Sequence, residues 1–108
     1  MALEAAKRGC AGVWVSNHGG RAIDNSAAAI EALPAIVEAV RGKALIIMDG
    51  GVRRGQDVFR ALALGADVTA IGRPVLYGMA LGGAQGVQSV YARLKTELTM
   101  VMQLAGTA

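Results

Sequence analysis

At 108 residues the chain holds at most one domain, with enough material for a modest core. A net charge of +3, with no Lys/Arg run and no aromatics interleaved with basic residues, excludes the usual footprint of nucleic-acid binding. The lone Cys10 excludes an internal disulfide and a CxxC metal site, so no metal is expected and a reducing, cytoplasmic setting is.

Ala2 to Arg8 has helical composition, with Gly9 placed as a C-cap glycine, and no apolar leader core precedes it. Gly12 to Ser16 is the first expected strand. Asp24-Asn25-Ser26 offers N-cap chemistry to a helical stretch, Ala27 to Val40, which Pro34 is expected to split, the proper helix starting there. Ala44 to Met48 is a continuous apolar run, the pattern of a strand buried on both faces. A helix from Gln56 to Leu64, a third strand from Val68 to Ile71 and a short helix from Pro74 to Leu81 follow. After Gly82-Gly83 a long helix carries Val87, Val90, Tyr91, Leu94, Leu98, Val101 and Met102 on one stripe. Met48, Met79, Met100 and Met102 read as core filler. The stretch from Pro74 to Ala92 is uncharged, but its glycines and Gln85, Gln88 and Ser89 argue against a membrane span.

The order α-β-α-β-α-β-α-α means right-handed βαβ units and a parallel sheet. Each strand runs into a loop rich in Gly and Arg, so the three loops share one sheet edge, bringing His18, Arg21, Asp49, Arg53 and Arg73 together. His18 is the only histidine and a natural candidate base; Arg21, three residues on, is a fixed cation for an anionic substrate. In Asp49-Gly50-Gly51-Val52-Arg53 the acid can accept hydrogen bonds from sugar-type hydroxyls, the glycines open the backbone and the arginine can reach a phosphate. Gly72-Arg73 before a helix is a phosphate-site arrangement: backbone N–H groups face the anion and the guanidinium adds a bidentate pair.

These residues carry a family resemblance. Val15-Ser-Asn-His-Gly-Gly-Arg21, Asp49-Gly-Gly-Val-Arg-Arg-Gly55, Ala61-Leu-Ala-Leu-Gly-Ala66 and Ile71-Gly-Arg-Pro74 resemble the C-terminal part of the FMN-dependent α-hydroxy-acid oxidases and dehydrogenases, the group of glycolate oxidase, lactate oxidase and mandelate dehydrogenase. The resemblance implies an α/β fold, a partial TIM (β/α)8 barrel made of roughly the last three strand–helix units plus a C-terminal helix. It implies FMN as cofactor and oxidation of a small L-2-hydroxy acid, of lactate or glycolate type, to the 2-oxo acid. Under it His18 is the catalytic base and a substrate contact, and Arg21 pairs with the substrate carboxylate. Ser16 touches the flavin ring; Asp49, Gly50, Gly51, Val52 and Arg53 bind the ribityl chain and phosphate; Gly72 and Arg73 complete the phosphate site. The loop after Arg21 departs from the family pattern, with Ala22-Ile23 where Gln-Leu is usual and Ser26-Ala27 where a proline is common.

A complete barrel takes about 250 residues. Residues 1–108 are therefore expected to be a C-terminal fragment of the barrel domain, lacking the family's strand-five lysine, substrate tyrosines and the acid that orients the histidine. Such a fragment is expected to turn over weakly or not at all, and to self-associate or take up a complementary N-terminal fragment through exposed strand edges. The alternatives are a non-catalytic fragment acting only in assembly, and a piece of another FMN- or phosphate-binding barrel.

Overall fold

The computed structural model describes residues 1–107. In chain order it forms α1 (Ala2–Lys7), β1 (Gly12–Val15), a 3₁₀ turn (His18–Gly20), α2 (Ala29–Val40), β2 (Leu45–Met48), α3 (Gly55–Ala63), β3 (Val68–Thr69) and α4 (Arg73–Leu104). The chain divides into two compact units, Met1–Gly50 with Ala61–Ala70, and Gly51–Arg60 with the chain from Ile71 onward.

The first unit holds a three-stranded sheet in the order β1-β2-β3, all parallel, as the βα alternation predicts. Gly12 pairs with Leu45 and Val15 with Met48; Ile47 pairs with Val68 and Met48 with Thr69. β3 is two residues long rather than four. Asp67 takes over the ladder on its N-terminal side, its carboxylate Oδ2 accepting the Ile46 N–H at 2.8 Å while its own N–H donates to the Ile46 carbonyl.

Side chains alternate across a strand, and here the two faces differ. Val15, Ile46 and Met48 are buried on one face with Ala29, Leu33 and Val40 of α2 in the core. On the other face Trp14, Leu45 and Val68 are roughly half exposed. The apolar run of β2 is thus buried on one side only, because no element of this unit covers the second face.

α2 also differs from expectation. It runs unbroken through Pro34, with Ala28 rather than the Asp24–Ser26 segment at its N-cap. Glu31 explains the start: its Oε2 accepts the Ala28 N–H at 3.2 Å, half of a capping box that needs no polar side chain at the cap itself. An interior proline costs about 3 kcal/mol. Leu33 and Val40 are fully buried on either side of it and together offset that with about 3–6 kcal/mol of burial, so one helix wins over two.

In the second unit α4 breaks where the glycine pair predicts. Gly82 (φ −156°, ψ 23°) and Gly83 (φ 54°, ψ −138°) are non-helical, separating an arm of residues 73–81 from one of 84–104. Gly78 is buried, and a Cβ there would lie 2.7 Å from the Gly86 carbonyl oxygen, so the two backbones touch. Leu94 is buried on the expected stripe, but Tyr91 is exposed, as are Met79 and Met100, which are not core filler. Among the described residues no helix is long and apolar enough to cross a membrane.

Candidate functional site

β1 delivers its C-terminal loop through a left-handed turn. His18 (φ 57°), Gly19 (φ 65°) and Gly20 (φ 73°) lie consecutively in left-handed space. Two of the three are glycine; His18 has a Cβ and carries a strain of about 1–2 kcal/mol. Ser16 holds the turn, its Oγ accepting the His18 N–H at 3.0 Å, and the Arg21 N–H closes it on the His18 carbonyl. Strain kept at a polar, exposed residue is common at functional sites. Both His18 and Arg21 are exposed, and among the described residues no side chain pairs with the imidazole.

β2 ends beside it. Asp49 donates its N–H to the Val15 carbonyl at 3.1 Å, and its Oδ2 accepts the indole N–H of Trp14 at 3.1 Å. Gly50 (φ 99°) and Gly51 (φ 76°) require glycine. A Cβ at Gly50 would lie 3.3 Å from Asn17 Oδ1, so Asn17 brings the β1 loop against the β2 loop. Asn17 also donates from Nδ2 to the Ala27 carbonyl, bridging the long loop before α2. The first unit therefore brings Ser16, His18, Arg21, Asp49 and Gly50 to one edge of one sheet. An open groove of about 590 Å³ runs along β1 from Gly12 to Ser16 and Asn17.

The remaining predicted residues belong to the second unit. Val52 is buried and can offer a ligand only its backbone. Arg53 is exposed, but its N–H and that of Arg54 donate to Asp57 Oδ2 at 3.1 and 3.0 Å. The Gly55 N–H donates to Glu97 Oε2 at 2.9 Å. The backbone N–H groups at the start of α3 are thus satisfied by the chain's own carboxylates, and what remains exposed there is the arginine side chains. Arg93 and the Gly55 N–H hold the Glu97 carboxyl below its ordinary value.

The start of α4 differs. Gly72 is its N-cap, no side chain caps it, and Pro74 occupies a first-turn position where its missing N–H costs nothing. A Cβ at Gly72 or at Gly51 would meet nothing within 4 Å, so the backbone at both places is open to a close ligand. Within the second unit, an uncapped helix start with arginine beside it is chemistry suited to an anion; within the first, the Asp49 carboxylate is chemistry suited to hydroxyl donors. Among the described residues no cluster of ligands could hold a metal ion. Sequence reasoning missed Trp14, Asn17, Asp57 and Glu97. For Trp14 a signal existed, since strand alternation sets it opposite Val13 and Val15.

The whole chain, residues 1–108, matches the family described as FMN-dependent dehydrogenase. It is 57% identical over 106 residues to an L-lactate oxidase of Lentilactobacillus hilgardii, covering 98% of this chain and 29% of the relative. It is 51% identical over 105 residues to the human 2-hydroxyacid oxidase 1, covering 97% of this chain and 28% of that protein. Among solved structures, the lactate oxidase of Pediococcus acidilactici superposes with a TM-score of 0.95 at 57% identity, over 98% of this chain and 30% of that one. A mandelate oxidase structure gives the same TM-score at 43% identity, over 98% of this chain and 32% of its own. The chain spans less than a third of the length of these relatives. Its fold is part of their (β/α)8 barrel, and it belongs to the FMN-dependent dehydrogenase family, whose cofactor is FMN.

Proposed function

We propose that this chain carries the base, the carboxylate clamp and the phosphate cradle of an FMN-dependent oxidation of small L-2-hydroxy acids, of lactate or glycolate type, to 2-oxo acids. Bound FMN supplies the acceptor for the two electrons that leave the substrate carbon. His18 takes the proton and Arg21 pairs with the substrate carboxylate. Ser16 touches the flavin ring, and Asp49 accepts hydrogen bonds from the ribityl hydroxyls. Gly50, Gly51 and the Val52 backbone allow close approach, and the Arg53 guanidinium with Gly72 and Arg73 binds the phosphate. What supports this reading above all is that Ser16, His18, Arg21 and Asp49 lie at the same end of one parallel sheet.

The unpaired imidazole has a consequence: with no acid to orient it, the chain alone turns over slowly or not at all. The open face around Trp14, Leu45 and Val68 favours self-association or union with a complementary N-terminal barrel segment, in the cytoplasm. The test is titration of the purified chain with FMN, followed by flavin fluorescence, beside Arg73→Ala. Saturable binding weakened roughly tenfold or more in the variant is expected. Absence of binding by the parent chain would overturn the reading. Lactate and glycolate oxidation by the loaded protein, lost in His18→Ala, then tests the base; a non-catalytic assembly role instead leaves every property of that variant unchanged.

A further inference from the structure

Trp14 is the only tryptophan in the chain, and none of the substrate or cofactor roles above employs it. Burial does not account for it, since it is 59% exposed on the uncovered face of the sheet. It makes one directed contact, from its Nε1–H to Asp49 Oδ2 at 3.1 Å. In register Trp14 pairs with Ile47, two residues before Asp49, so the indole leans along the sheet toward the loop edge to reach the carboxylate.

A carboxylate at the head of a Gly-Gly loop turns easily about its terminal torsion, whose wells are broad. Here the backbone of Asp49 is anchored to the Val15 carbonyl and one carboxylate oxygen is anchored to the indole. The indole N–H is a donor only and engages Oδ2, so the acceptor capacity of Oδ1 is left for a ligand hydroxyl. Oδ1 stays outside the contact.

We propose that Trp14 is a positioning residue of the cofactor site, its indole N–H fixing the Asp49 carboxylate so that Oδ1 is presented to the hydroxyls of a bound polyol chain. The inference rests on the assignment of Asp49 to the ribityl chain of FMN.

The test is FMN titration of the full chain, its Trp14→Phe and Asp49→Ala variants and the double variant, with the single indole N–H resonance recorded in parallel. Trp14→Phe keeps the ring and deletes the donor, and is expected to raise the Kd roughly tenfold. In the Asp49→Ala background the same change is expected to alter Kd less than about twofold, because the acceptor is already gone. Equal factors in the two backgrounds mean a packing role and overturn the proposal, as does a Trp14→Phe variant that binds like the parent. The indole resonance, still present in Asp49→Ala, is expected to move; an unmoved resonance overturns the contact even where binding is too weak to titrate. A parent chain that binds no FMN overturns the site reading and this role together, whereas parent binding with an indifferent Trp14→Phe overturns this role alone.

Discussion

Two helix starts in the second unit look alike in sequence and differ in structure. Each follows a segment with glycine and arginine, Gly51-Val52-Arg53-Arg54 before α3 and Gly72-Arg73 at the start of α4. At α3 three successive N–H groups, those of Arg53, Arg54 and Gly55, are taken by Asp57 and Glu97. At α4 no side chain caps the first turn. A helix N-terminus draws anions only to the extent that its donors are not already engaged. The first start is a structural joint; the second lacks a side-chain cap, which suits the phosphate role proposed for it.

The substitution with the largest expected effect tests the joint. A Cβ at Gly55 would run into the backbone of Glu97 and Leu98, so Gly55→Ala is expected to destabilise the fold by about 3 kcal/mol, read by urea unfolding. Next comes the cap: Asp57→Ala should cost about 1 kcal/mol while leaving FMN affinity unchanged. Arg73→Ala should weaken FMN binding roughly tenfold or more. If Asp57→Ala weakened FMN as much as Arg73→Ala does, the distinction between the two starts would collapse.

The smallest effect is visible only in acid. Glu97 is held below its ordinary 4.5, first by the hydrogen bond from Arg93 and then by that from Gly55. A carboxyl with a depressed folded value contributes stability that is complete above its unfolded value and disappears as pH falls through the folded one. Glu97→Gln is therefore expected to flatten the fall in thermal midpoint below pH 4.5, with the parent losing more over that range.

Much of the architecture was legible because periodicity and punctuation agreed. Alternating helical and apolar segments implied a parallel sheet, and Gly82-Gly83 marked the break in α4. What could not be read depended on partners distant in the chain. Pro34 reads locally as a boundary, and only the burial of Leu33 and Val40 on the sheet keeps the helix whole. The run Leu45–Met48 reads as doubly buried, but its composition cannot reveal that one face is uncovered. At the site, His18, Arg21 and Asp49 were visible as chemistry. Their supports were not: Ser16 Oγ on the His18 N–H, Asn17 against Gly50 and Trp14 on Asp49 are facts of geometry. His18 itself shows the cost of such geometry. His18→Gly is expected to stabilise the chain by up to about 1 kcal/mol through relief of its left-handed backbone, while removing the base.

The contact between Gly78 and Gly86 also constrains how the gene can change. Each residue added to or removed from a helical arm rotates everything beyond it by about 100°. An insertion or deletion between the two glycines would swing one of them off the contact and bring a side chain against bare backbone. The tip at Gly82-Gly83 can change in composition, but the count of residues from 78 to 86 is fixed. Length polymorphism, which surface turns ordinarily tolerate, should be missing from this one.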